Sequence, residues 1–171
     1  RAFFNEEVLK DHILKNPMRH INNLKVEKVK PEYFTEGELK LFFNQEMDPE
    51  YRLSFRGLLY TGMRIEELAN IHWDDVDFEK RLITVRRKTG FKPKTSNSER
   101  SIPIAQPLYD DLVKAQQNKK SDTYVFTSVD ASKVKERTLL DVCKRISRNA
   151  GITSRAFLYR SEASDRAARA C

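Results

Sequence analysis

Cysteine and histidine are scarce: 171 residues hold two of the first and three of the second. Each shortage excludes something. Cys143 and Cys171 have no metal-ligand spacing and make no disulfide framework. Cys143 falls on the apolar face of an expected helix and reads as a core residue. His12, His20 and His72 are scattered, so no metal site is expected, and nothing in the pattern asks for a cofactor. No apolar run approaches the roughly 20 residues of a membrane span, and no signal peptide opens the chain. A soluble, cytoplasmic protein with no membrane partner is expected. Internal repeats and low-complexity tracts are missing too. The first residue is Arg rather than Met, which leaves room for an upstream portion.

What is present suits a packed domain. Hydrophobic residues make up 39%, enough for a core, and 33% are charged, too evenly spread for long disorder. The length fits one domain of ordinary size with part of another. A net charge of +7 favours a polyanionic partner.

Residues 2–14 read as a helix with Phe4, Val8 and Ile13 inward, ended by Asn16-Pro17 because a residue before proline avoids the helical region. A basic, weakly patterned stretch follows up to Pro31, with Lys25, Lys28 and Lys30; it reads equally as a solvated linker and as one lying on phosphates. Thr35-Glu36-Gly37-Glu38 is a capping box for a helix reaching about Asn44. Asp48-Pro49 supplies a cap and an N1 proline for the next helix, whose Tyr51, Phe55, Leu58 and Leu59 form a core stripe.

That helix runs into Thr61-Gly62-Met63-Arg64-Ile65-Glu66-Glu67-Leu68. Gly62 can adopt positive φ and re-aim the chain, while Ile65, Leu68 and Ala69 bury one face of a short new helix. Arg64 near its start opposes the helix dipole. Two readings stay open. Arg64 pairs with Glu67, Asp74 or Asp75 as an ordinary ion pair, or it holds an anion together with free helix N–H groups.

Ile71-His72-Trp73-Asp74-Asp75-Val76-Asp77 then forms a corner, with Trp73 packed against the helices and Asp77 orienting it. Leu82–Arg86 and Arg100–Ile104 read as antiparallel strands, the second an edge because Pro103 cannot donate to a ladder. Between them, Arg86, Arg87, Lys88, Lys92 and Lys94 form a cationic loop longer than an ordinary hairpin connection. It is either a frayed basic loop or a ribbon shaped for a DNA groove. Further on, a helix over 107–117, a short apolar strand at Tyr124-Val125-Phe126 and a helix over 132–150 stopped by Gly151 are expected. Lys133, Lys135, Arg137, Lys144, Arg145 and Arg148 on that helix form a solvated face or touch phosphates.

The series T-G-x-R-I-x-E-L, W-x-D-V-D, a strand, a basic hairpin and R-x-I-P-I resembles the first half of the catalytic domain of tyrosine recombinases, the phage-integrase family. The resemblance implies a mainly α fold with a small antiparallel β-sheet (α+β), an integrase-like catalytic domain that is truncated. Residues 1–24 would then be the end of a core-binding helical domain, 25–33 a linker, 34–154 the partial catalytic domain and 155–171 an atypical tail. The activity implied is site-specific DNA recombination and integration through a phosphotyrosine intermediate, on double-stranded DNA with other recombinase protomers, in the bacterial cytoplasm, in a mobile element or related role. Arg64 would be the first catalytic arginine, and Lys94 the catalytic lysine by the K-T-x(4)-R-x-I-P-I spacing, with Lys88 and Lys92 as alternatives. Glu67 and Asp77 would support them, and Arg86, Arg87, Lys88, Lys92 and Arg100 would contact DNA. No histidine follows His72, so the family's H-x-x-R box has no counterpart. Tyr159 arrives too early to be its nucleophile. A chain inactive by itself is therefore expected. The competing expectations are a DNA-binding module without chemistry and a protein-interaction remnant.

Overall fold

The computed structural model describes residues 2–20, 34–91 and 99–152. The chain divides into two compact units, Arg1–Lys30 and Pro31–Cys171.

In the first unit, helix α1 covers Ala2–Leu9 and stops well before Pro17, not at Leu14 as the periodicity suggests. Asp11 sits at φ 56°, a left-handed conformation that Asp tolerates better than most residues. The N–H of Asp11 donates to the Val8 carbonyl at 3.1 Å, and that of His12 to the Glu7 carbonyl at 3.0 Å. These two bonds make a Schellman stop, usually built on glycine, which no glycine-based reading would find.

The second unit opens as its local signals dictate. Helix α2 (Glu36–Asn44) carries the full capping box between Thr35 and Glu38. Helix α3 (Pro49–Thr61) starts on its N1 proline, although the Asp48 side chain makes no cap hydrogen bond. Arg52 ties the two together, donating to the carbonyls of Phe43 at 2.6 Å and Gln45 at 3.0 Å, so the open end of α2 is closed by a side chain from α3. Phe42 and Phe55 are fully buried and meet edge to face at 5.2 Å; burying each contributes about 2–3 kcal/mol.

After α3 come α4 (Ile65–Ala69), a 3-10 turn (Trp73–Asp75) and three strands, β1 (Val76–Asp77), β2 (Leu82–Val85) and β3 (Arg100–Pro103). The sheet is antiparallel in the order β1-β2-β3, which leaves the proline-bearing strand at an edge as expected. Ile83 faces Ile102 and Val85 faces Arg100 across the ladder, and Ile83 and Val85 are buried. Directly opposed residues share a face, so Arg100 lies on the core side of the sheet, at its end.

Helix α5 (Gln106–Gln117) packs on α3 and is joined to it by Arg56–Asp111 at 2.5 Å. The apolar piece at 124–126 is no regular strand; it is tied to the 71–73 corner by Val125 N–H to the Ile71 carbonyl and Trp73 N–H to the Thr123 carbonyl, both at 3.1 Å. Helix α6 (Glu136–Asn149) begins four residues later than its periodicity suggests, because 127–133 folds as a hairpin turn. Thr127 pairs with Lys133, Ser128 N–H donates to the Ser132 carbonyl at 2.8 Å, and Ala131 takes φ 63°. Gly151, at φ 68°, ends α6 as expected.

Candidate nucleic-acid interface

The site is built by two tight turns in succession. At the first, Gly62 adopts φ 62° and ψ 18° and its N–H closes α3 on the Leu58 carbonyl at 3.1 Å. Met63, 5% exposed, anchors the reversal, and Arg64 follows in extended conformation as the cap residue of α4. Three residues on, Glu67 folds its carboxylate back onto the Arg64 N–H at 3.0 Å and takes the Arg64 guanidinium at 2.8 Å. Arg100 reaches the other oxygen at 2.9 Å. The expected ion pair of Arg64 with Glu67 is therefore present. One of the N–H groups expected to greet an external anion is already taken by Glu67.

The second turn repeats the device. Asp75 accepts the His72 N–H at 2.8 Å, Arg86 Nε at 2.6 Å and the Lys88 ammonium. Lys88 is held from two sides, since its backbone N–H and C=O both pair with Phe91 at 3.0 Å around a turn in which Gly90 takes φ 83°. Its ammonium also donates to the Asn70 carbonyl, and Lys133 Nζ donates to Asn70 Oδ1 at 2.7 Å.

Burial separates the two signs. The Glu67 and Asp75 side chains are 4% and 0% exposed, those of Arg64 and Arg86 64% and 51%. Both acids lie inside, Arg64 and Arg86 reach outward, and Arg100 at 35% and Lys88 at 12% lie between. Burial by itself would raise both carboxyls. At Glu67 the hydrogen bonds from Arg100, the Arg64 N–H and the Arg64 guanidinium outweigh it and hold the group below its ordinary range. At Asp75 those from Lys88, the His72 N–H and Arg86 do the same. Both acids are thus anions, yet five cations, Arg64, Arg86, Lys88, Arg100 and Lys133, gather at them and at the neutral Asn70. The surplus is positive, and such a face can hold a polyanion.

Of the residues singled out from sequence, Arg64, Glu67, Arg86, Lys88 and Arg100 come together here. Arg87 is exposed, and its backbone N–H meets Glu99 at 3.1 Å. Asp77 stands apart: it accepts the Lys80 N–H at 2.8 Å and pairs with the Lys80 ammonium, so its bonds go to the turn into β2 and not to the 71–77 corner. Lys92 and Lys94 lie outside the described residues. Sequence reasoning missed Asp75 as the second buried acid, although His72-Trp73-Asp74-Asp75 repeats the cap-x-x-acid spacing of Arg64–Glu67. It also missed Asn70 and its link to Lys133, which no local pattern carries.

Residues 34–168 match the phage integrase family, a span that runs past the point, 155, where the sequence changes character. Over 160 residues the chain is 31% identical to tyrosine recombinase XerA of Pyrococcus furiosus, covering 89% of this chain and 51% of that protein. It is 31% identical to tyrosine recombinase XerC of Staphylococcus carnosus over 165 residues, covering 90% and 53%. The chain thus spans about half the length of these curated relatives. Among solved structures, a lambda integrase tetramer bound to a Holliday junction superposes with a TM-score of 0.76 over 98% of this chain and 50% of that one. At 17% identity this likeness speaks for the fold.

Proposed function

The chain belongs to the phage integrase family, and on that footing we propose that it acts on double-stranded DNA in site-specific recombination or integration, by strand breakage and rejoining through a phosphotyrosine. The observation that carries this reading is a set of four cations, Arg64 and Arg86 well exposed, seated on two buried, ionised carboxylates. A carboxylate beneath each pair fixes the cations without cancelling them, which is how a surface meets phosphates in a set geometry.

In this chemistry a tyrosine hydroxyl, losing its proton to solvent, attacks the phosphodiester, a 3′-phosphotyrosyl bond forms, the P–O5′ bond breaks and the 5′-oxygen leaves, protonated, as a hydroxyl. Arg64 neutralises non-bridging oxygens as charge builds, using the guanidinium donors that Glu67 leaves over. The 5′-oxygen takes its proton from a lysine of the 86–100 ribbon. Family spacing gives Lys94; position supports Lys88, since its ammonium donates one N–H to Asp75 and one to the Asn70 carbonyl and keeps the third. We carry Lys88 forward. Glu67 orients Arg64, and Asp75 orients Lys88, a supporting role the sequence reading gives to Asp77. Arg86, Arg87, Lys92 and Arg100 add contacts to the DNA backbone.

The same reading takes 1–24 as the end of a core-binding domain, 25–33 as a linker and 34–154 as catalytic domain, with other protomers joining on cytoplasmic DNA. No helix among the described residues is long and apolar enough to cross a membrane.

Two measurements test it. Duplex binding should weaken steeply with added salt, and a nicked duplex should trap a covalent protein–DNA adduct if the nucleophile is in reach. Binding without an adduct supports a DNA-binding module that lacks chemistry. Absence of binding at low salt overturns the reading.

A further inference from the structure

Asn70 follows α4 at 6% exposure, yet lysines from two distant parts of the chain end on it. Its Nδ2 donates to the Glu66 carbonyl at 2.7 Å, and its Oδ1 accepts from Lys133 Nζ at 2.7 Å. Only the amide nitrogen can donate to a carbonyl and only the oxygen can accept from an ammonium, so these partners fix the orientation of the amide. The Asn70 main-chain carbonyl meanwhile receives the Lys88 ammonium.

Lys133 is held at both ends. Its backbone pairs with Thr127, and Asp130 Oδ1 stiffens the turn by accepting from the Ser132 N–H at 3.2 Å and its hydroxyl at 2.8 Å. The neighbouring Val134 is 1% exposed, pinning the hairpin to the core. Among the described residues no carboxylate pairs with Lys133; a neutral amide holds it. A cation fixed by a neutral acceptor keeps its whole charge for an outside anion, and two of its three N–H groups remain to meet one.

We propose that Lys133 contacts the phosphate backbone of DNA, extending the binding face from Arg86 and Lys88 across Asn70 to the 127–133 hairpin, and that Asn70 is the positioning residue that sets Lys133 beside Lys88. The inference rests on the DNA-binding reading above and adds a second loop to it.

The test is duplex binding by the whole chain, followed by fluorescence anisotropy between 50 and 300 mM salt (roughly the range over which phosphate contacts are released). Lys133→Gln should lower the magnitude of the slope of log K against log salt by about 0.9, the loss of one phosphate contact, and weaken low-salt binding several-fold. Asn70→Ala keeps both lysines but should move the slope the same way, and the double variant should bind no worse than the poorer single one. A merely structural role for Asn70 would lower the melting temperature and leave the slope alone, which overturns its positioning role. An unchanged slope in Lys133→Gln, with Arg64→Ala still reducing it, overturns the Lys133 contact while the DNA reading stands. Failure of the unaltered chain to bind overturns both. Should Asn70→Ala fail to fold, Lys133→Gln decides by itself.

Discussion

Glu67 and Asp75 occupy the same place in two successive turns: each is the third residue after a cap, each accepts that cap's N–H, and each takes two side-chain cations. One acid serves Arg64 and Arg100, the other Arg86 and Lys88. The β2–β3 ladder couples them, since Arg100 sits opposite Val85 and Arg86 follows Val85 in the chain. Removing either acid would take from two neighbouring cations the carboxylate that both are bonded to. The local turn and the long-range cluster therefore stabilise each other.

Acid should dismantle this arrangement. Both carboxyls titrate below their ordinary values of 4.5 and 3.8 in the folded protein. A depressed folded pKa gives stability that is present in full above the unfolded value and is lost as pH falls through the folded one. Melting temperature should hold from pH 7 to about 5 and then drop increasingly steeply below about 4. In Asp75→Asn the neutral stability should already be lower, by about 3 kcal/mol for a buried pair broken on one side, and the acid limb shallower. A full-depth acid limb in both Asp75→Asn and Glu67→Gln would assign the pH dependence to other groups.

Gly57 lies inside α3, where alanine would ordinarily gain about 1 kcal/mol over glycine. A Cβ there would stand 2.7 Å from Phe126 Cε1 and 2.8 Å from Leu68 Cδ1. Both side chains are fully buried, so neither can swing away. Overpacking of this kind costs about 1–3 kcal/mol, which outweighs the propensity gain. Urea denaturation should find Gly57→Ala less stable than the unaltered protein; a gain in stability would mean the α3–α4 contact can slide apart.

Arg64 separates folding from binding. Its side chain is 64% exposed and pairs with Glu67 across a turn, so Arg64→Lys should change stability by no more than about 1 kcal/mol. Duplex binding and any strand cleavage should fall much further, because an ammonium has no planar fork for two phosphate oxygens. Equal loss of stability and binding would make Arg64 a structural residue first.

What the sequence discloses about this fold is mostly what lies within one turn. The Thr35–Glu38 box, Gly62 and Gly151 act through bonds to residues at most four away, Pro49 acts through its own fixed φ, and each stands where the pattern puts it. The turn at Asp11 is equally local but uses a residue whose left-handed conformation is a minority choice. The late start of α6 lies outside local pattern, because 127–133 folds as a hairpin and Val134 after it is held in the core. At the site, Arg64 and Glu67 were legible as neighbours. Arg100 reads from sequence as a DNA contact, and only the β2–β3 register reveals that it faces the core and Glu67. Lys133 and Asn70 are 63 residues apart, and nothing short of the folded chain joins them.

The hairpin lysines offer the sharpest division between motif and geometry. Lys88 is 12% exposed, and its ammonium bonds to the fully buried Asp75; Lys88→Ala should thus lower stability by about 2 kcal/mol, the worth of a charged hydrogen bond, as well as affect function. To isolate proton delivery from stability, cleavage is compared, in a protein that joins this chain to a nucleophilic tyrosine, on duplexes whose scissile 5′ bridging atom is oxygen or sulfur. A thiolate leaves without needing a proton, so loss of the general acid should slow the oxygen substrate by about 10²–10⁴ and spare the sulfur one. That pattern in Lys88→Ala, with Lys94→Ala cutting both substrates alike, assigns the acid to Lys88. The reverse pattern returns it to Lys94 and leaves Lys88 as the residue that locks the ribbon to Asp75 and Asn70.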